Sequence, residues 1–116
     1  PELHLGEDIL VPDLAGWRRD RMPDLPETAW LALPPDWVCE VLSPATAKID
    51  RMSKMPCYAA NKVAYCWLVD PETRTLEAFN LSDGQWRLLA SFVDDAEVSV
   101  APFDAIAFPL AVLWAE

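Results

Sequence analysis

Residues 37–42 (Trp-Val-Cys-Glu-Val-Leu) are apolar at every position but Glu40. Such a run suggests a strand buried on both faces, as in the centre of a sheet. In a strand, Val38, Glu40 and Leu42 point to one face and Trp37, Cys39 and Val41 to the other. Ser43-Pro44-Ala45-Thr46 then marks a break and a helix start, with Ser43 or Thr46 as N-cap. The helix should run to about Asn61. Asp50, Lys54 and Tyr58 fall at i, i+4 and i+8 and share a face, and Met52, Met55 and Ala59 can form the apolar one. Pro56, inside this pattern, should kink the helix or split it. Residues 63–70 form a second apolar strand. Strand, helix and strand together predict a right-handed crossover between parallel neighbours.

The remaining elements follow from shorter signals. Residues 8–13 read as a strand ending at Pro12-Asp13. Residues 14–36, with four prolines, read as irregular loop with a brief strand at 16–20. Residues 75–81 and 85–93 alternate about Ser82-Asp83-Gly84, a β-hairpin signal. A short strand is expected at 97–100 and a helical turn opened by Pro109 at its first position, reaching Trp114. The fold class is α/β, a mixed sheet with one crossover helix and a hairpin.

Composition narrows the chemistry. A chain of 116 residues, 53% hydrophobic with six tryptophans, supports one domain with a real core. No apolar run reaches the ~20 residues that span a bilayer. Three cysteines without CxxC spacing, and His4 as the only histidine, fit reduced core thiols in a cytoplasmic protein. They argue against a zinc site and against histidine-based nucleophile activation. Carboxylates, lysine and a metal remain. The net charge of −10 opposes nucleic-acid binding. Residues 45–62, however, carry Lys48, Arg51, Lys54 and Lys62 against Asp50 alone, either a cationic strip or an ordinary solvated helix face.

Glu40 is the most informative residue. A lone carboxylate in a core strand is costly unless paired, protonated or bound to a cation. The alternative is a glutamate near a strand end that reaches water or an arginine. Asp13 could equally be a turn former after Pro12. Lys54 could merely pair with Asp50 across one helical turn. Together the three suggest more. Two carboxylates from neighbouring strands can hold Mg²⁺, and a lysine beside it can orient water or offset charge on a phosphate.

Four ordered segments carry a family resemblance. Residues 10–19 (Leu-Val-Pro-Asp-Leu-Ala-Gly-Trp-Arg-Arg) resemble the proline-aspartate segment of the Uma-two-type family. Residues 35–46 resemble its glutamate strand and Leu-Ser-Pro-x-Thr turn. Asp50 to Lys54, then Tyr58, resemble its Asp-x-x-x-Lys-x-x-x-Tyr helix. Residues 67–71 (Trp-Leu-Val-Asp-Pro) resemble the next strand. The resemblance covers residues 2–81 well. It implies a restriction-endonuclease-like fold of the PD-(D/E)xK nuclease superfamily, with Asp13 and Glu40 as metal ligands. The lysine usually found two residues after the glutamate is replaced here by Leu42, so its role carries over to Lys54, with Asp50 and Tyr58 supporting. Family members usually show glycine before the valine at position 63, where this chain has Lys62. They also tend to begin with a helix and strands, so the chain reads as a single domain lacking its amino-terminal portion.

The expectation is therefore a Mg²⁺- or Mn²⁺-dependent endonuclease acting on DNA, with Lys48 and Arg51 approaching phosphates. The rival is a catalytically inactive nuclease-like interaction or regulatory module. Its support is the acidic surface and an apolar tail, residues 98–114, suited to a homodimer. Base stacking on the tryptophans is disfavoured, because they are not interleaved with basic residues.

Overall fold

The computed structural model describes residues 1–114. At its centre is a five-stranded mixed sheet of order β3-β4-β5-β6-β7. Its strands are β3 (Leu14–Gly16), β4 (Trp37–Val41), β5 (Tyr65–Asp70), β6 (Thr75–Ser82) and β7 (Gln85–Val93). Strands β4 and β5 are parallel, as a strand–helix–strand unit requires, and every other pairing in this sheet is antiparallel. Strands β6 and β7 meet at Asp83-Gly84, both at positive φ, as a tight hairpin with right-handed strand twist demands. A hairpin of β1 (Leu3–Leu5) and β2 (Asp8–Leu10), and a pair of β8 (Glu97–Val98) and β9 (Phe108–Pro109), complete the strands. No described helix is long and apolar enough to cross a membrane.

The alternation within β4 and β5 feeds two cores. Val38, Leu42, Cys66 and Leu68 face the crossover helix and pack with Leu3, Leu5, Met55, Tyr58 and Val63. Cys39, Trp67 and Val69 face the other way and pack under Val98, Val100 and Leu110. On that side Trp37, Trp67 and Phe103 meet edge to face. Trp37 and Trp67 are thus spent on packing. The expectation that β4 is covered on both faces holds, with only its last residue, Val41, turned to solvent.

Several local expectations are corrected. The strand expected at 8–13 ends at Leu10, and Ile9 and Val11 are exposed. The brief strand lies at Leu14–Gly16 rather than 16–20, because pairing with Trp37–Cys39 decides its place. Pro109 lies in β9 and precedes, rather than opens, a 3₁₀ turn at Leu110–Leu113. Cys57 is half-buried, its thiol donating to Asp8 Oδ2 at 3.2 Å, so only Cys39 and Cys66 are core thiols.

The crossover helix is continuous but not uniform. It starts with the α-helical turn Ala47–Ile49, widens to a π-helical stretch at Asp50–Lys54, and returns to α geometry over Met55–Ala60. Pro56 therefore neither splits nor ends it. Thr46 occupies the N-cap without a side-chain cap bond. It is tied instead to Ser43, whose hydroxyl lies 3.0 Å from the Thr46 hydroxyl. Met52, expected on the apolar face, is 68% exposed, whereas Met55 is buried. The π stretch changes the phase of the helix, so one period does not run through both halves.

Candidate active site

Antiparallel pairing of Leu14 with Cys39 places Asp13, just before β3, beside Glu40. The Val41 N–H donates to Asp13 Oδ2 at 2.6 Å, and the Asp13 N–H donates to Glu40 Oε1 at 3.2 Å. Glu40 is fully buried and Asp13 is exposed. Two acids 27 positions apart in the chain thus meet at one end of the sheet, one inside and one at the surface.

The helix brings the amine. Lys54 Nζ donates to Glu40 Oε2, donates to the Val11 carbonyl at 3.1 Å, and lies 3.5 Å from Asp50 Oδ1. Asp50 is itself buried. Tyr58, one turn on, is fully buried with its hydroxyl unpartnered among the described residues. The three residues singled out for chemistry therefore converge, with the two supporting residues beside them.

The electrostatics follow from burial. Desolvation pushes the Glu40 carboxyl up to about 7; the hydrogen bond and charge of Lys54 pull it down, while a shared hydrogen bond with Asp50 and its charge push it up. For Lys54, desolvation pulls down, but Glu40 and then Asp50 outweigh it and the ammonium is raised. Burial, then the Glu40 and Asp13 charges, push the Cys39 thiol up to about 12, which favours the protonated form. Burial, followed by the Glu40 charge, raises the Tyr58 hydroxyl as well.

The expected phosphate contacts are placed differently from one another. Lys48 is exposed. Arg51 is paired with Glu77 of β6. Glu40, Leu68 and Glu77 stand in one row across β4, β5 and β6, so the helix reaches the first through Lys54 and the last through Arg51. Two participants carry no signature in the sequence: the Val11 carbonyl is backbone, and Glu77 is one polar residue in an alternating strand. Leu42, where a lysine would more often follow the glutamate, is buried in the core.

The donor set offers hard oxygens. Asp13 and Glu40 suit a small divalent cation held by one or two carboxylates with the rest of its shell water. Among the described residues, no group of three or more His, Cys, Asp or Glu side chains could cage an ion. His4, hydrogen-bonded to Glu2 at 2.7 Å and stacked on Trp30, takes no part.

The Uma2 family, described as "Putative restriction endonuclease", matches residues 2–112. The chain belongs to the Uma2 family. Among solved structures, this Uma2 chain is similar to a crystal structure described as "a putative nuclease belonging to DUF820" from Anabaena variabilis ATCC 29413. The two are 22% identical with a TM-score of 0.74. The match covers 97% of this chain and 64% of that one, so the Uma2 chain spans less than two thirds of its neighbour's length. The likeness establishes the fold, a restriction-endonuclease-like α/β sheet. No curated protein matches the chain.

Proposed function

We propose that this Uma2 chain is a divalent-metal-dependent endonuclease that hydrolyses phosphodiester bonds in DNA. The observation that carries the reading is the convergence of Asp13, Glu40 and Lys54 from two strands and a helix. The family's description points to the same chemistry. Asp13 and Glu40 hold Mg²⁺ or Mn²⁺, which when bound supplies an acidified water and offsets charge on the scissile phosphate. Glu40 is pre-positioned by the Asp13 N–H and by Lys54. Lys54 orients the attacking water or neutralises the developing phosphorane charge. Asp50 and Tyr58 support the lysine and the glutamate. Lys48, and Arg51 once it leaves Glu77, contact phosphates. Cysteines without a disulfide fit a reducing compartment such as the cytoplasm.

Incubation of supercoiled DNA with Mg²⁺ or Mn²⁺ tests the reading. Nicking should appear with wild type and vanish in Asp13→Ala and Glu40→Ala. Cleavage by both variants at the wild-type level would refute the assignment. The net charge of −10 and the engagement of Lys54 and Arg51 by carboxylates favour a second reading, a non-catalytic, dimeric interaction module. Calorimetry separates the two. Absence of Mn²⁺ binding together with a stable dimer supports the module.

A further inference from the structure

The buried residues of the crossover helix are not spaced as an α-helix spaces them. Asp50 is 4% exposed, and the next buried residue is Met55 at 7%, followed by Tyr58 at 0%. An α-helix returns to the same face after three or four residues, so a gap of five needs one extra residue in the turn. That residue is accommodated in the π-helical stretch Asp50–Lys54, where the Met55 N–H bonds the Asp50 carbonyl. The stretch ends at Lys54, and a single residue of α geometry, Met55, separates it from Pro56. Pro56 has no N–H, and in an uninterrupted α-helix its ring would clash with the carbonyl of Met52. A widened turn just ahead of the proline relieves that clash.

The second half of the helix is anchored independently. Met55 and Tyr58 are in the core, and the Trp86 indole N–H donates to the Met55 carbonyl at 2.8 Å. With that half fixed, a continuous α-helix would turn Met52, one turn before Met55, toward the sheet and carry Asp50 off it. The π turn does the reverse. It leaves Met52 exposed and delivers the Asp50 carboxylate beside Lys54 and Glu40.

We propose that Pro56 is a positioning residue of the site: by imposing the π turn it sets Asp50 under Lys54 and so aims the ammonium at Glu40. This rests on the nuclease reading for its functional meaning, but not for its test. Pro56 touches no reacting atom and acts only through the phase of the helix.

The experiment labels wild type, Pro56→Ala and Asp50→Asn in their native state and quantifies products by mass spectrometry. Peroxide reports Met52, and an amine-acylating reagent reports Lys54, with exposed Lys62 as internal reference. In Pro56→Ala the helix relaxes to α geometry. Met52 oxidation should slow several-fold and Lys54 acylation should rise several-fold relative to Lys62. In Asp50→Asn, Lys54 acylation should rise while Met52 oxidation stays at the wild-type rate. Unchanged Met52 oxidation in Pro56→Ala would show that the proline does not set the phase. Slowed oxidation with unchanged Lys54 acylation would show that the phase does not aim the lysine. Either result overturns the proposal. Metal-dependent DNA cleavage is then measured on the same samples. Pro56→Ala should lower kcat several-fold with KM unchanged, and unchanged kcat in a re-phased helix also overturns the proposal. If wild type cleaves nothing, the nuclease reading fails while the labelling still decides the positioning.

Discussion

A glutamate in a core strand carries its own pH signature. The Glu40 carboxyl is pushed up to about 7 from an ordinary 4.5, chiefly by burial. Between these values the folded protein keeps a proton that the unfolded chain has released. The contribution to stability is therefore complete below about 4.5 and is lost as pH rises through about 7. Thermal unfolding of wild type and Glu40→Gln between these limits checks the sign. The melting temperature of wild type should fall relative to that of the glutamine variant as pH rises, and parallel curves would contradict the assignment. Glu40 was conspicuous in the sequence because one charge stood in an apolar run. Asp13 and Lys54 were not conspicuous alone. A Pro-Asp pair and an i, i+4 pair are common features, and only segment order suggested that they belong together.

At the scale of the element, long apolar or alternating segments were legible and short ones were not. Strands β4 to β7 lie close to their expected positions because each has enough residues to show a period or a continuous apolar run. Strands β1 and β3 have three residues each, and their pairing partners, not their own composition, make them strands. The helix was placed correctly, but its apolar face was misjudged at Met52, since one 3.6-residue period was carried across the π stretch. The β6–β7 turn was visible as Asp83-Gly84. Gly84 sits at φ +74 with open space where a Cβ would be, so replacement strains only the backbone. Gly84→Ala should cost ~1–2 kcal/mol. In urea, the midpoint should fall with the slope unchanged. A midpoint equal to wild type would mean that the turn adopts a different conformation.

For the molecule as a whole, charge is the feature that sits least easily with a DNA substrate. The chain carries −10 in total, and two cations of the basic helix are held by Glu40 and Glu77. A nuclease with a basic face binds DNA less well as salt rises. Here repulsion between acidic body and phosphate should dominate at long range. It is screened within ~8 Å at 0.15 M salt but reaches ~30 Å at 0.01 M. Metal-dependent cleavage should therefore have a KM for DNA that falls as monovalent salt is raised from low values. A KM that climbs steadily instead would locate an unrecognised cationic surface. The architecture was readable from the order strand, helix, strand, hairpin. The way the helix is mounted was not, because Glu77 meets Arg51 only after three strands have been laid side by side.

That mounting has a mechanical consequence. A helix made of three short pieces has little rigidity of its own and would be marginal alone in water. Here it is moored at two carboxylates in one cross-strand row, two strand spacings or ~10 Å apart. A roll that slackens one mooring tightens the other. The order of strands in the sheet thus joins the phase of the helix in fixing the direction of the amine.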